Sequence, residues 1–193
     1  MSKTVNASDV GAFINKKLAV IKNQADTSAI RGLLAQLRRG VGRQPGDMPE
    51  LWGIFLQDLP EHMMGENEPS KAEWAIYTSL TLFSLHQQGK ELKNEFMHKS
   101  EMSLGRAVSL LSRKRDAESS IIRRFNAVAT SSDMKELSHH MRGMVQLLRN
   151  EGIGLDYVRL ATDLYLYQFA SNVSSVRLRW GQDLYRYEKE EEQ

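Results

Sequence analysis

Apolar positions recur at three- and four-residue intervals almost from one end of the chain to the other, the period that places side chains on one face of an α-helix. Phe13, Ile14, Leu18 and Ile21 predict a helix over 9–24 with Ser8 as its cap, and Ile30, Leu33, Leu34 and Leu37 predict a second, capped by Asp26 and closed by Gly40. The run GVGRQPGDMP (40–49) breaks the period with glycine and proline and reads as a loop. Pro49 stands at the first position of a short helix carrying Trp52 and Phe55. A second loop, 60–70, ends at Ser70, which forms a capping box with Glu73. The helix behind it, ending before Gly89, holds Trp74, Tyr77, Leu80, Phe83 and Leu85 and reads as the central core helix. Further helices are predicted over 103–113, 119–129, 133–151 (closed by Gly152), 156–169 and 174–187. No segment alternates apolar and polar residues as a strand would, and no internal repeat is present. The expected fold is all-α: a compact bundle of about eight or nine helices without a sheet. It is one domain over 1–187, or two packed lobes, with short connections that set neighbours antiparallel. An acidic, disordered tail is expected at 188–193.

The same helical phase distributes the arginines. Arg31 and Arg38 share the face opposite Leu33, Leu34 and Leu37, with Arg39 beside it. Arg106, Ser109 and Arg113 form a second polar stripe, with Leu104, Val108 and Leu111 turned inward. Arg113, Lys114 and Arg115 then run into the link before the next helix. There Ile121, Ile122 and Phe125 read as buried, flanked by Arg123 and Arg124; Ser138, Arg142 and Arg149 make a third stripe. In VRLRWGQDLYR (176–186), Val176, Trp180 and Leu184 form a packing stripe that Leu178, Gly181 and Tyr185 widen, and Gly181 is expected to let another element approach closely. Arg179 is expected to pair with Asp183 at i+4, and Arg177 to lay its stem along the apolar band. Trp52, Trp74 and Trp180 are assigned to the core.

Charge sharpens this picture. The net charge of the 193 residues is +2, but the tail EKEEEQ carries −3, leaving +5 on the rest. Between Asp26 and Asp47 stand four arginines (Arg31, Arg38, Arg39, Arg43) and no acid, and between Lys99 and Arg124 seven bases face three acids. Several cations converging on a groove are what neutralising a phosphate backbone requires, and the arginine fork suits phosphate oxygens.

Other chemistries find little support. The chain has no cysteine, which excludes disulfides and thiolate metal sites and suits a reducing cytoplasm. No run approaches the length of a membrane span, and the N-terminus lacks a signal-peptide pattern. His62, His86, His98, His139 and His140 show no metal-ligand spacing. The adjacent His139 and His140 diverge by about 100° on a helix, and the histidines read as surface or half-buried residues. The GxG of GVGRQPG has no strand before it, so it is no dinucleotide cradle. Catalytic residues, metal ligands and cofactors are all expected to be absent.

Four stretches taken together carry a resemblance: RGLLAQLRRGVGRQPGDMPELWGIF, SLGRAVSLLSRKRD, RRFNAVATSSDMKELSHHMRGMVQLLRNEGIGLDYVRLATDLYLY and VRLRWGQDLYR. In order and spacing they resemble the CasB family, the small subunit of the type I-E CRISPR surveillance complex Cascade, over most of 31–187. The resemblance implies a helical, non-catalytic protein of the cytoplasm acting in antiviral defence. Its implied partners are a second copy of itself, the large subunit, the crRNA-holding backbone subunits, the crRNA and the target DNA. In that setting the basic surfaces would help hold an R-loop open. No strict motif assigns the contacts, so charge and helical phase choose them: Arg38, Arg39, Arg43, Arg106, Arg113, Lys114, Arg115, Arg123, Arg124 and Arg142, with Arg31, Arg177 and Arg179 in second rank. The rival readings are an adaptor that binds only protein subunits, a histidine-dependent nuclease, and a helix-turn-helix regulator. The regulator is disfavoured because 119–129 is too apolar for a recognition helix.

Overall fold

The structure, a computed structural model, describes residues 4–25, 27–115 and 118–190; of Arg115 and of 187–190 it describes the backbone. Among the described residues the chain forms α1 (Ala7–Asn23), α2 (Ser28–Arg39), α3 (Trp52–Phe55), α4 (Lys71–His86), α5 (Leu104–Arg115), α6 (Glu118–Ala129), α7 (Met134–Glu151), α8 (Tyr157–Tyr167) and α9 (Ala170–Glu190). Short 3₁₀ turns occupy Pro49–Leu51 and Glu61–Met63. The one β-like feature among them is an isolated bridge between His98 and Leu155.

The caps explain most boundaries, and they correct two of the expected ones. Asn6, not Ser8, opens α1: its side chain accepts from Asp9 N while the Asp9 carboxylate takes the Asn6 N–H, a reciprocal capping box. Thr27 caps α2 by accepting from Ile30 N; Asp26, the expected cap, lies outside the described residues. The Ser70–Glu73 box stands as expected, with Glu73 Oε2 also taking Gly65 N and so tying the preceding loop to the helix. Gly152 closes α7 at φ 65°, a left-handed conformation glycine adopts without strain. Helix α9 starts at Ala170, four residues earlier than its apolar period suggests. Its backbone stays helical to Glu190, into the segment expected to be a tail; 191–193 lie outside the described residues.

Helix α4 is the axis of the bundle. Fourteen of its sixteen residues are buried, because α1, α2, α3, α7 and α8 pack around it. Two of its buried hydroxyls bond within the helix, Thr81 donating to Tyr77 O at 2.9 Å and Ser84 to Thr81 O at 2.7 Å, whereas the buried Ser79 hydroxyl has no partner among the described residues. Helices α5, α6 and α7 pack on one another, and α9 lies along α5 and α8. The buried apolar side chains of all these helices belong to one cluster.

At the C-terminal end of α4 His86 is fully buried, its Nδ1 3.0 Å from the Tyr157 hydroxyl, which donates to Leu82 O. Burial lowers the His86 pKa to about 4, and the charges of Arg149 and Lys90 push it the same way. The unfolded chain therefore takes up a proton near the ordinary histidine value of 6.5, a proton that the folded chain refuses until about pH 4. Stability is complete above the unfolded value and falls as pH drops through that window. Between about pH 8 and about pH 5 this group alone is expected to cost about 2 kcal/mol. His98, whose pKa burial also lowers, adds to the loss, while Asp163, whose pKa burial raises, works against it. Urea unfolding of wild type and His86→Gln at both pH values isolates the contribution of this imidazole. An equal loss in the two proteins would refute it.

Candidate nucleic-acid interface

The basic residues chosen from the sequence separate into three places. Along α2, Arg31 is exposed in the first turn and Arg38 half-buried in the last, and Arg43 stands exposed in the loop beyond Gly40. Arg39 pairs with Glu50 at 3.6 Å, both side chains largely in solvent, so the pair contributes little. The turn is fixed from below: Tyr77 Oη donates to Gly40 O at 3.1 Å. A Cβ at Gly40 would lie 2.6 Å from that hydroxyl and 2.7 Å from Leu51, so here glycine serves close packing rather than backbone freedom.

The second place is the C-terminal end of α5. Arg113 and Lys114 are exposed, and Lys114 Nζ donates to Glu151 O at 3.0 Å, joining α5 to the carbonyl end of α7 where a cation is favoured. The Arg115 side chain lies outside the described residues. Arg106, at the other end of α5, donates to Glu101 O at 3.4 Å. The stripe predicted through Ser109 does not hold, since Ser109 is fully buried. Ser138, in the third predicted stripe, is also buried, and Arg149 is tied to Gln88 at 2.9 Å.

The third place is the hairpin of α6 and α7. Ile121, Phe125 and Val128 bury the inner face of α6, which leaves Arg123 and Arg124 exposed on its outer face. The two helices pack side by side and are joined by only 130–133, so they run antiparallel and 123–124 fall opposite 139–140. The result is a groove of about 290 Å³ lined by Arg123, Arg124, Ala127, His139, His140, Gly143 and Met144. His139 and Gly143, like His140 and Met144, are one turn apart on α7. Nothing lies within 4 Å of where a Gly143 Cβ would be, so the groove is open there. Arg142 is exposed on the neighbouring face of α7. Among the described residues Arg123, Arg124 and Arg142 have no ion-pair or hydrogen-bond partner.

Arg177 and Arg179 belong to a different chemistry. Arg179 Nη2 donates to Asp163 Oδ1 at 2.7 Å, and Asp183, its expected partner, takes Arg159 of α8 instead. Trp180 Nε1 donates to the other Asp163 oxygen at 2.7 Å. Arg177 Nη2 donates to Tyr167 Oη at 3.0 Å, its guanidinium stands 5.5 Å from that ring, and the ring stacks on Trp180 at 5.7 Å. Tyr167 in turn reaches Ala129 O and Ser131 O at the end of α6. Both arginines therefore lock α9 to α8 and α6. Of the three tryptophans, Trp180 is in the core at 1% exposure and Trp74 is half-buried. Trp52, at 48%, is not in the core: it sits at the start of the short α3, which faces the rest of the fold through Phe55.

His139 and His140 are exposed and half-buried, as expected of them, but the sequence did not show that they share a groove with Arg123 and Arg124. Their rings stand 5.4 Å apart at 72° and line the same groove as the two arginines. The signal was the four-residue link between two helices, which sets the hairpin register by counting. Among the described residues no three histidine, aspartate or glutamate side chains converge as a metal site would need, and no helix is long and apolar enough to cross a membrane.

Residues 33–185 match the family model of the CRISPR-associated protein Cse2. Among solved structures the chain is similar to CasB from Thermobifida fusca, at 29% identity and a TM-score of 0.76 over 91% of this chain and 97% of that one. It is also similar to M. ruber CasB, at 25% identity and a TM-score of 0.66 over 91% and 94%. A Cse2-family CRISPR-associated protein from Thermus thermophilus, at 22% identity and a TM-score of 0.68 over 90% and 97%, shares the fold. No curated protein sequence matches the chain.

Proposed function

Because this chain belongs to the CRISPR-associated Cse2 family, we propose that it is a non-catalytic small subunit of an RNA-guided Cascade-type complex in the cytoplasm. In this reading two copies lie against the large subunit and the crRNA-holding backbone subunits, and their basic surfaces hold the phosphate backbone of crRNA or target DNA and so stabilise the R-loop. The observation that carries the reading is the contrast between two sets of arginines. Arg159 on α8 and Arg179 on α9 are neutralised by Asp183 and Asp163. Arg123, Arg124 and Arg142 stand exposed beside an open groove with no acid paired to them among the described residues. Exposed guanidinium groups without base-reading neighbours suit sequence-blind phosphate contact. R-loop formation exchanges one duplex for another of similar stability, so a few such contacts tip the balance.

Binding of the purified protein to single-stranded DNA, duplex DNA and RNA over a salt series tests this. Affinity should fall steeply with salt, without cleavage and with little sequence preference. Arg123→Glu with Arg124→Glu should weaken it by about tenfold or more and reduce the salt slope by about 1.5. No binding, either alone or assembled with the partner subunits, would favour the adaptor reading. That second reading has its own support: Leu178 and Tyr185, flanking Gly181 on α9, expose 61% and 56% of their surface, as a protein contact would use.

A further inference from the structure

The segment that carries α3 and runs on to α4 has the opposite charge from the arginine surfaces. Residues 44–70 hold six acids (Asp47, Glu50, Asp58, Glu61, Glu66 and Glu68) and neither lysine nor arginine. Among them stands Trp52, 48% exposed. It lines an open pocket of about 180 Å³ together with Pro45, Phe55, Leu56, Glu66 and Glu68. We propose that this pocket receives an arginine side chain from a basic segment of a partner protein, with the Trp52 indole stacking on the guanidinium and the two glutamates neutralising it.

Trp52 does little for the fold. Its neighbours anchor α3: Leu51 is fully buried, and Phe55, 2% exposed, meets the Tyr77 ring edge-on at 5.2 Å. The Trp52 indole N–H has no acceptor among the described residues. Tryptophan is among the residues that dominate protein contacts, and its ring attracts a cation more strongly than tyrosine or phenylalanine. Glu66 and Glu68 are exposed, and among the described residues neither side chain has an ion-pair or hydrogen-bond partner. Their loop is nevertheless held. Glu73 Oε2 accepts from Gly65 N at 3.0 Å and from Ser70 N at 2.6 Å, and Ser70 Oγ donates to Met63 O at 2.5 Å. A Cβ at Gly65 would run into Glu68 O, so the loop closes tightly on itself. Two unpaired carboxylates on a fixed loop are preorganised for a cation, which lowers the ordering cost of binding.

The cations that flank the segment do not fill the pocket. Arg39 pairs with Glu50 at 3.6 Å, Lys17 Nζ donates to Gln57 O at 2.7 Å, and Lys71 Nζ stands 3.9 Å from the centre of the Phe169 ring. Arg43 is exposed and is not part of the lining. Apolar lining from Phe55 and Leu56 beside carboxylates suits a side chain with an apolar stem and a charged tip. Arginine fits better than lysine, because its planar, weakly hydrated fork stacks on an indole and takes a carboxylate through two bonds. The surrounding acids repel a phosphate strand, so the occupant is a protein. A second copy of the chain would commit its exposed arginines here and lose them for phosphate. That choice of a different protein over a second copy is the one step that rests on the proposed function.

The test is nitrogen-edited NMR of the full chain with three blocked pentapeptides: Gly-Arg-Gly-Arg-Gly, its lysine counterpart, and its citrulline counterpart, which keeps the shape of arginine without the charge. The three tryptophans give three indole signals, and Trp52→Phe assigns that of Trp52. At millimolar concentration the arginine peptide should move the Trp52 signal and leave that of the buried Trp180 in place. The lysine peptide should bind about fivefold more weakly, and the citrulline peptide should leave the signal unmoved. Glu66→Gln with Glu68→Gln, both at exposed loop positions, should keep Tm and weaken the arginine peptide by about tenfold. An unmoved Trp52 signal would overturn the proposal, and so would equal binding of the citrulline or lysine peptide or an unchanged affinity in the double variant. Movement of the Trp52 signal by a thymidine oligonucleotide instead of the peptide would overturn it in favour of a strand. Movement with protein concentration alone would overturn it in favour of a second copy. An oligonucleotide that fails to bind anywhere on the chain, while the arginine peptide binds here, removes the phosphate reading and leaves this pocket standing.

Discussion

Replacing Gly105 by alanine is expected to destabilise the protein by about 3 kcal/mol, seen as a fall in Tm of about 10 °C for a domain of this size. Gly105 is in the first turn of α5, where that helix crosses α9. A Cβ there would drive into the carbonyl oxygen of Trp180 and would also meet Leu184 N at 2.7 Å and Asp183 Cβ at 2.8 Å. Two of these atoms are backbone, so no side-chain rotation makes room, and the helices must separate. Separation loosens Leu104, Val108 and Leu111 of α5 from Val176, Trp180 and Leu184 of α9, all at 3% exposure or less. It also shifts the α5 end that bears Arg113 and Lys114. The comparison is Gly181→Ala on the facing helix. Nothing lies within 4 Å of its Cβ position, so that variant should lose nothing and gain up to about 1 kcal/mol of helix propensity. Thermal unfolding of the two variants side by side decides it. Equal stabilities would mean that the α5–α9 crossing yields more easily than its geometry indicates.

The second large effect is expected at Asp163, which is 4% exposed and accepts from both Arg179 and Trp180. Asp163→Ala should cost about 3 kcal/mol, because the buried indole N–H loses its acceptor and the guanidinium its counter-charge. Asp163→Asn should cost less, since the amide oxygen still accepts one of the two bonds. Burial pushes the Asp163 carboxyl up, against the pull of Arg179 and Trp180. A raised folded pKa favours the folded state at low pH and withdraws that support as pH rises through it. The gap between wild type and Asp163→Asn should therefore widen in favour of wild type as pH falls into the carboxylate range. The functional corollary concerns Arg179, which charge counting placed among the phosphate contacts. Arg179→Ala should lower Tm and leave nucleic-acid affinity within about twofold, whereas Arg123→Glu with Arg124→Glu should do the reverse. A large affinity loss in Arg179→Ala with Tm intact would return that arginine to the interface.

The sequence by itself determined the elements and much of the core. A period of three to four residues is a local property, so it marked the helices and the buried stripes of α5, α6 and α9 without reference to any neighbour, but it also assigned Leu178 and Tyr185 to the α9 stripe, and these are exposed at 61% and 56%. The Ser70–Glu73 box and the Gly152 stop were legible for the same reason, because each is satisfied within a few residues. Three features were decided only by the tertiary structure. Helix packing chose Gly105 rather than Gly181 for the close approach, since either glycine could have faced a neighbour and only the crossing of α5 over α9 selects one. The fate of each arginine depended on acids distant in sequence: Asp163, on another helix, captured Arg179 in place of the nearer Asp183. The groove itself needed two helices at once, because Arg123 and Arg124 come to line one space with His139 and His140 only when the antiparallel hairpin brings them together. Charge and phase along one helix show which side chains avoid the core. Whether an excluded arginine finds an acid or an open groove is settled by residues that the local pattern does not contain.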